Sequence, residues 1–455
     1  MSKKPKVITI PLSKILPIAV IIFVAFQIFN NSQKTKEKSL PAHKDTTKVI
    51  FTKEKELKEQ KKSEVSIFAQ KITQMTYEDV AQSLELFPPN LAQNCDTIIW
   101  QKNEIIRYFS IDTALQRKTE VLVRRAKTKY GAAVAMNPQS GQILALVSIF
   151  DEDSLPKIAE NLCLSSVFPA ASIIKTITAE AAFDNIANIS SETEKNFVGK
   201  STTLYKSQFL PEKYGENANT TSFAEAFAKS NNPVFGRLAV HSIGRENLVK
   251  SAQKFGWNAK IPFEMPCDVS FFPEINVAKV NDTINLAELG CGFNSETTLT
   301  PLLGALVASA IINKGNMMTP TIIDSVNDIS GKKLFAANPQ RWKNCATADV
   351  ADSLNILMQE TTRIGSARKS FDSMKKFANG KDIVFGGKTG TKDSKLGRNE
   401  WFVGFAKDNQ NDFAIATSIC FVQYPKFVLR PSQVSADIML DNLRKTRIQI
   451  KEKGI

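Results

Sequence analysis

Residues 383–391 read IVFGGKTGT, an apolar run that passes through two glycines into a Lys-Thr-Gly-Thr motif. The apolar run predicts a strand, because β-branched and aromatic side chains favour extended backbone. The glycines, Gly390 among them, are expected to let this strand come close to a ligand. Lys388 would supply a fixed positive charge, and the hydroxyls of Thr389 and Thr391 would bind a carboxylate. The alternative is an ordinary surface turn on an edge strand.

The segments around this strand predict the fold. Further strands are expected on both sides of a helix-rich stretch between about residues 150 and 380. Strands at both ends with helices between them indicate an α/β fold of the α+β type, in which an inserted helical region splits one antiparallel sheet. Two terminal helices would cover one face of the sheet and the inserted helices the other. The predicted strands are 105–111, 132–136, 142–147, 383–388, 401–405 and 413–421, and the terminal helices are 113–127 and 432–447.

The motif Ser172-Ile173-Ile174-Lys175 stands at the start of a mostly apolar predicted helix. The pattern Ser-x-x-Lys occurs six times in the chain and carries little information alone. Residues three apart on a helix share a face, so the Lys175 amine can reach the Ser172 hydroxyl. A lysine with the reference pKa of about 10.4 is a poor base at neutral pH, and burial would lower that pKa. The alternative is a helix-capping serine with an unrelated surface lysine.

A third motif, Ser230-Asn231-Asn232, follows a helix predicted at 222–229 and precedes a proline. In the functional interpretation, the Ser230 hydroxyl relays a proton and the Asn232 amide binds a substrate carbonyl. In the alternative interpretation, the motif is a helix C-terminal turn built from residues that favour turns.

The histidine and cysteine content limits the possible chemistry. Only His43 and His241 are present, which nearly excludes a Ser-His-Asp site and makes lysine the natural base. The six cysteines include no C-x-x-C pair, so a zinc or redox site is not expected. No other metal site and no cofactor are expected. Export would permit disulfides, but the sequence does not choose among the 15 pairings that six cysteines allow. Most of these cysteines are expected to be small buried hydrophobic residues.

The net charge of +14 is concentrated at the N-terminal end, where residues 1–62 hold 14 lysines and 5 acidic residues. This distribution argues against nucleic-acid binding and favours membrane targeting. The apolar run ILPIAVIIFVAFQIF follows four lysines, and the positive-inside rule places those lysines in the cytoplasm. A cleaved signal peptide is the alternative to an anchor. We expect a cytoplasmic N-terminus (1–14), a transmembrane anchor (15–30), a tether (31–63), a short pedestal-like region (64–104) and an exported main domain (105–447).

Together, the three motifs and their surroundings resemble the penicillin-binding protein transpeptidase family. The resemblance runs from about residue 108 to residue 439. It implies the penicillin-binding/serine β-lactamase-like fold, with a five-stranded antiparallel sheet and helices on both faces. The other stretches that carry it are YFSID (108–112) with LQ (115–116), GAAVAMNPQSGQILA (131–145), GCG (290–292), LTPL (299–302), NKG (313–315), GSAR (365–368) and WFVG (401–404).

The resemblance implies a membrane-anchored D,D-transpeptidase that cross-links peptidoglycan stem peptides ending in D-Ala-D-Ala and is acylated by β-lactam antibiotics. Ser172 would then be the nucleophile and Lys175 the group that takes its proton. Ser230, held between Lys175 and Lys388, would pass a proton to the leaving D-Ala. The backbone N–H groups of Ser172 and Thr391 would form the oxyanion hole. The substrate-binding residues implied are Asn232, Lys388, Thr389, Gly390 and Thr391.

One departure and several alternatives accompany this resemblance. Family members commonly have glycine before the nucleophile, whereas Ala171 stands here, and alanine would be strained at a positive φ. A D,D-carboxypeptidase shares all of these residues, whereas a class A β-lactamase needs a Glu-led motif that does not follow Asn232. A β-lactam sensor or cell-wall scaffold is the non-enzymatic alternative. The stretch between anchor and main domain is too short for a glycosyltransferase domain, so any glycosyltransferase is expected to be a separate partner.

Overall fold

The computed structural model describes residues 99–102, 105–150, 155–274, 282–425 and 427–452, all within one compact unit of the chain. The predicted anchor at 15–30 and tether at 31–63 lie outside these residues, as does most of the predicted pedestal-like region. In the described part of the chain, no helix combines the length and apolar character needed to cross a membrane.

The strands, numbered in chain order, are β1 (Ile99–Lys102), β2 (Ile105–Phe109), β3 (Thr128–Met136), β4 (Ile143–Phe150), β5 (Glu194–Phe197), β6 (Asn219–Ser222), β7 (Asn316–Met318), β8 (Ile323–Asp328), β9 (Lys333–Ala336), β10 (Arg341–Asn344), β11 (Ile383–Ser394), β12 (Gly397–Asp408) and β13 (Phe413–Gln423). The α-helices are α1 (Thr113–Ala126), α2 (Ile174–Asn185), α3 (Lys206–Phe209), α4 (Phe223–Ala228), α5 (Asn232–Leu238), α6 (Gly244–Lys254), α7 (Asp282–Cys291), α8 (Pro301–Ile312), α9 (Ala348–Arg363), α10 (Asp372–Ala378) and α11 (Pro431–Glu452).

A five-stranded antiparallel sheet with the order β11-β12-β13-β3-β4 lies at the centre of the domain. The pairing of β13 with β3 joins the two ends of the domain, from Ala416 opposite Met136 to Gln423 opposite Thr128. The helix-rich stretch between β4 and β11 is therefore an insertion into one sheet. This confirms the predicted α+β fold.

Helices cover both faces of this sheet in the predicted arrangement. The terminal helices lie on one face, with α1 against β3 and β4 and α11 against β12 and β13. The inserted helix α8 packs on the opposite face and is buried along its whole length. Its sequence explains this position, because a helix that is apolar all round belongs in a core. Thr300 begins α8 by accepting a hydrogen bond from the Leu303 backbone N–H at 3.1 Å.

The side-chain alternation of β12 determines which way the neighbouring edge strand β11 faces. Trp401 and Val403 belong to one hydrophobic core, and Phe402 belongs to the other. Residues directly opposite each other in an antiparallel pair share a face. Lys388 lies opposite Val403, so it faces the first core, which also contains α2. Thr389 lies opposite Phe402 and faces the side of α11.

One predicted strand lies in a different sheet. The strand expected at 105–111 is present as β2, but it pairs with β1 and β8 in a separate four-stranded sheet. The pairing with β8 runs from Ile105 opposite Asp328 to Phe109 opposite Ile323. Local sequence pattern predicted the strand, but its partner lies more than 200 residues away and left no local signal.

The described cysteines are unpaired thiols, and four of the five are buried. Cys95 lies outside the described residues. Burial of most of these side chains confirms the expectation that they are small hydrophobic residues. The five are Cys163, Cys267, Cys291, Cys345 and Cys420, with Cys267 the partly exposed one.

Candidate active site

Ser172 lies in a short 3₁₀ turn, Ala171–Ile173, that leads directly into α2. The first nine residues of α2 are all buried, so this helix is a fixed element of the core. Ser172 itself is half-buried. The sequence therefore places a reachable hydroxyl at the end of a rigid helix. The predicted apolar helix behind Ser172 is confirmed.

The backbone just before Ser172 is strained. Ala171 has φ of +49°, the left-handed region that disfavours a side chain. Surrounding contacts hold it there, including the hydrogen bond from Trp401 Nε1 to the Pro169 carbonyl at 2.9 Å. Gly292 packs against the strained residue so closely that a Cβ at Gly292 would lie 1.9 Å from the Ala171 carbonyl oxygen. The strain expected of alanine at this position is therefore present.

Lys175 is completely buried, and its amine lies among three hydrogen-bond partners. The nitrogen is 2.8 Å from Ser172 Oγ, 2.7 Å from Asn232 Oδ1 and 2.6 Å from the Cys291 carbonyl oxygen. Two of these partners, the amide oxygen of Asn232 and the Cys291 carbonyl oxygen, can only accept hydrogen bonds. Two N–H groups of the amine donate to them, and the remaining tetrahedral position of the nitrogen faces the Ser172 hydroxyl. A neutral amine would direct its lone pair there and accept the hydroxyl proton.

The environment of Lys175 favours this neutral form. Burial lowers the pKa of Lys175 to about 8, because the ammonium loses its hydration in the protein interior. An amine with that pKa is partly neutral at physiological pH and can serve as a general base. The geometry and the electrostatics together make Ser172 an activated hydroxyl.

A second buried lysine, Lys388, stands on the other side of the site. Its Nζ donates to Ser230 Oγ at 3.0 Å and to the Thr389 carbonyl at 3.0 Å. Burial, followed by the charge of Lys175, holds the pKa of Lys388 well below its usual range. Ser230 is presented to Lys388 by a tight turn after α4, in which it has φ of +59°. The site thus contains two Ser–Lys pairs, Ser172–Lys175 and Ser230–Lys388.

The third motif reaches Lys175 through its asparagine. Asn232 Oδ1 accepts from Lys175, and Asn232 Nδ2 donates to the Thr202 carbonyl at 2.9 Å. Among the described hydrogen bonds of Lys175, the one toward this motif goes to Asn232, whereas Ser230 contacts Lys388. The preceding residue, Asn231, caps α5 by accepting from the Val234 backbone N–H at 3.1 Å.

The three glycines of β11 lie against different parts of the protein, so a side chain at each would meet a different neighbour. A Cβ at Gly387 would lie 2.2 Å from the Phe402 ring, and one at Gly386 would lie 2.7 Å from the backbone of α9. These two glycines are required by packing within the protein, and the expectation that they also let the strand come close to a ligand stays a prediction. At Gly390 a Cβ would lie 3.3 Å from Ala171 Cβ, so this glycine borders the turn that carries Ser172.

The two threonines of the Lys-Thr-Gly-Thr motif differ in exposure. Thr391 is exposed at the edge of the sheet, and Thr389 is half-buried. The Thr389 hydroxyl is 2.5 Å from Ser366 Oγ, which ties the strand to the segment after α9. Ser366 and the Cys291 carbonyl also belong to the site, although neither lies in one of the three motifs. The glycines beside them, Gly290, Gly292 and Gly365, were the available signal.

Comparison with known families finds one match that covers well over half of the chain. Residues 131–432 match the model described as penicillin binding protein transpeptidase domain. The peptidoglycan D,D-transpeptidase PbpA of Mycolicibacterium smegmatis is 26% identical in an alignment of 319 residues that covers 64% of this chain and 61% of the relative. Penicillin-binding protein 3 of Bacillus subtilis is 26% identical in an alignment of 345 residues that covers 70% of this chain and 48% of the relative. The chain thus spans roughly half to three fifths of these curated relatives.

Solved structures share the fold at lower identity. The D,D-transpeptidase domain of a peptidoglycan glycosyltransferase from Eggerthella lenta aligns with a TM-score of 0.59 at 22% identity, covering 74% of this chain and 82% of that one. The imipenem acyl-enzyme complex of penicillin-binding protein A from M. tuberculosis aligns with a TM-score of 0.57 at 22% identity, covering 74% and 79%.

Proposed function

The chain belongs to the penicillin-binding protein transpeptidase family, and we propose that it is a serine D,D-transpeptidase that cross-links peptidoglycan stem peptides ending in D-Ala-D-Ala. The observation that carries this proposal is the 2.8 Å contact between Ser172 Oγ and a buried lysine amine whose pKa is lowered to about 8. β-Lactam antibiotics would acylate the same serine as mimics of the substrate.

The form that reacts has Lys175 neutral and Lys388 charged, and the carboxylate of the bound donor peptide stabilises the charge on Lys388. Ser172 Oγ attacks the carbonyl carbon of the penultimate D-Ala, and its proton passes to Lys175 Nζ. The backbone N–H groups of Ser172 and Thr391 stabilise the oxyanion of the tetrahedral intermediate. The peptide C–N bond then breaks, and the leaving amine needs one proton. Ser230 supplies this proton.

The contact between Lys388 and Ser230 completes the proton balance. When Ser230 gives its hydroxyl proton to the leaving amine, it takes one from Lys388, which donates to it at 3.0 Å. Lys175 is then charged and Lys388 neutral, so the pair carries one positive charge before acylation and one after it, and the oxyanion offsets the second charge of the intermediate. In the second half-reaction the acceptor amine attacks the ester and returns a proton through Ser230 to Lys388. Lys175 returns its proton to Ser172 Oγ as the ester bond breaks.

Substrate binding is assigned to the groups around this pair. Lys388 and the hydroxyls of Thr389 and Thr391 hold the terminal carboxylate of the donor peptide, and Gly390 keeps this edge clear of side-chain atoms. Asn232 binds the acyl chain through its amide. Its 2.7 Å contact with Lys175 gives it a second role as a positioning residue for the base.

The cellular placement forms part of the same proposal. The apolar run at 15–29, preceded by four lysines, is assigned as an uncleaved single-pass anchor in the cytoplasmic membrane, with residues 1–14 inside. The catalytic domain, residues 105–447, would then stand outside the cytoplasm on the tether 31–63 and the short region 64–104. A separate glycosyltransferase would supply the glycan strands.

Fluorescent penicillin labelling tests the acyl-transfer chemistry. The wild type is expected to form a covalent adduct, and Ser172→Ala is expected to form none. Ser330→Ala is a matched control, because Ser330 begins another Ser-x-x-Lys pattern in an exposed turn and should label like the wild type. Labelling that survives in Ser172→Ala would refute the assignment of the nucleophile.

A second assay separates transfer from hydrolysis. The enzyme is given a stem pentapeptide together with an amine acceptor, and both cross-linked product and free D-Ala are measured. Cross-linked product supports the transpeptidase proposal. Release of D-Ala without cross-linked product would identify a carboxypeptidase instead, and labelling followed by rapid release of hydrolysed penicillin would identify a β-lactamase.

A further inference from the structure

A cavity of about 400 Å³ opens next to Thr389, outside the site described above. Ser366, which lines this cavity, shares the 2.5 Å hydroxyl contact with Thr389. Thr389 faces the α11 side of the central sheet, and the cavity walls include Arg430 and Gln433 at the start of α11. The cavity therefore adjoins the proposed carboxylate-binding edge of β11.

The walls of this cavity are strongly basic. Three lining residues, Arg368, Lys369 and Arg430, carry positive charges and are exposed. Arg430 has an acidic partner, Glu400, at 3.2 Å. The described part of the chain offers neither Arg368 nor Lys369 an ion-pair partner for its side chain. Two cations are thus available to a ligand, and they favour a negatively charged one.

Neutral groups around the cavity also favour an anion. The 22-residue helix α11 begins at its wall, and the N-terminal end of a helix carries partial positive charge. The Arg430 backbone N–H donates to Gln433 Oε1 at 2.9 Å, which fixes the entry into that helix. The Ser370 hydroxyl is held 2.8 Å from Ser432 Oγ, so the opposite walls are linked. The partial positive charge of the helix end adds to the two free cations, and the two hydrogen bonds hold the walls in place.

The cavity is coupled to the reacting groups through short contacts. The Ser366 backbone N–H donates to the Ala228 carbonyl at 3.1 Å, and Ala228 stands two residues before Ser230. Gly365 allows this approach, because a Cβ there would lie 2.4 Å from the same carbonyl oxygen. One wall of the cavity is thus attached both to the Ser230 turn and to Thr389. A ligand held here lies at a fixed position relative to the site.

The reaction requires a second substrate on this side. The acceptor amine replaces the leaving D-Ala, so it must approach the acyl carbon from the direction in which D-Ala departs. That direction is the Lys388–Thr389 edge, which the cavity adjoins. We propose that the cavity is a subsite for a carboxylate of the acceptor stem peptide, an inference that rests on the proposed transpeptidase function. Arg368 and Lys369 are the residues that bind this carboxylate.

The test measures the acceptor KM for protein variants that lose positive charge, each with an acceptor peptide that does or does not carry carboxylates. The protein variants are wild type, the double variant Arg368→Gln/Lys369→Gln, and Lys376→Gln as an exposed cation on α10 that does not line the cavity. The acceptors are a stem peptide with free carboxylates and the same peptide with carboxamides. For the wild type and Lys376→Gln, amidation should raise the acceptor KM by about fivefold or more. For the double variant the KM should already be raised, and amidation should change it less than twofold.

Penicillin labelling and the donor KM distinguish a failure of the proposed subsite from a failure of the proposed transpeptidase function. Penicillin labelling uses the donor side alone, and labelling of the double variant shows that its fold is intact. An unchanged acceptor KM in a labelled double variant would overturn the subsite and leave the proposed function standing. A rise in the donor KM without a rise in the acceptor KM would assign the cations to the donor and also overturn the subsite. Absence of labelling in the wild type would overturn the proposed function itself.

Discussion

Replacing Asn232 by aspartate tests whether Lys175 acts as a neutral base. The two side chains have the same shape, and Asn232 Oδ1 lies 2.7 Å from Lys175 Nζ. In the wild type, burial lowers the pKa of Lys175 from 10.5 to about 8. At pH 7 about one amine in ten is then neutral, against about one in three thousand at the unperturbed pKa. A negative charge beside Lys175 can therefore lower its neutral fraction at pH 7 by a factor of up to about 300.

The aspartate is expected to raise the pKa of Lys175, because a negative charge at this distance stabilises the ammonium. Opposite charges this close move a pKa by about 1 to 3 pH units. The neutral fraction at pH 7 should therefore fall about a hundredfold, and the acylation rate should fall with it. At a pH above the raised pKa the amine is neutral again, so the rate should recover.

The assay is the rate of labelling by fluorescent penicillin between about pH 6 and pH 11, a range that spans both expected midpoints. The wild-type rate should rise with pH around a midpoint of about 8. The Asn232→Asp midpoint should lie at least about 1 pH unit higher. Asn231→Asp is the matched control, since Asn231 caps α5 and does not contact Lys175. A wild-type rate independent of pH, or an Asn232→Asp midpoint that does not move upward, would refute the neutral-lysine mechanism.

Three further predictions concern stability, each measured by urea or thermal denaturation. Ala171→Gly removes a side chain from a backbone with φ of +49°, so the free energy of unfolding should rise by about 1 kcal/mol; a decrease would contradict the strain. Gly387→Ala places a Cβ 2.2 Å from the Phe402 ring and should cost about 1–3 kcal/mol, whereas Gly215→Ala meets nothing within 4 Å and should change little. Lys175→Met should stabilise the fold by up to about 3 kcal/mol near pH 7, because the pKa of the folded state, about 8, lies below that of the unfolded state. Below about pH 8 both states are protonated and the wild type carries the full cost of a buried charge; as the pH rises toward 10.5 only the unfolded state keeps its proton, so the wild type regains stability and the gap between the two proteins closes. A gap that does not depend on pH would show that packing, not charge, causes the difference.

Local sequence pattern predicted the elements of the central sheet because each strand has a clear apolar signature. The strand predicted at 401–405 covers the most apolar part of β12, which runs from Gly397 to Asp408. The polar ends, such as Asn399 and Lys407, are extended because they pair with β11 and β13 along their full length. Those pairings join residues that are distant in the sequence. Single-strand patterns therefore find a strand and underestimate its length.

In the site, too, the sequence shows which residue types are present but not which atoms they contact. The three motifs were recognisable because each needs specific residue types, and the structure brings all three together. The partner of each polar atom was not predictable, because it depends on distances between elements. Asn232 was expected to face the substrate, yet its oxygen accepts from Lys175. The third acceptor of Lys175 is a backbone carbonyl, that of Cys291, and backbone groups leave no trace in a residue pattern.

The two buried lysines are best understood as a pair that shares one charge. Each ammonium is desolvated, and the charge on Lys175 further lowers the pKa of Lys388. Two buried like charges this close would be strongly unfavourable, so one charge on the pair is the stable count at neutral pH. The state with Lys388 charged is suited to binding a carboxylate, and the state with Lys175 charged follows attack by Ser172. Moving the charge from Lys388 to Lys175 would therefore weaken the hold on the departing D-Ala carboxylate at the moment when the acyl-enzyme forms. The same electrostatic repulsion that destabilises the fold thus couples bond cleavage to release of the first product and clears the edge of β11 for the acceptor.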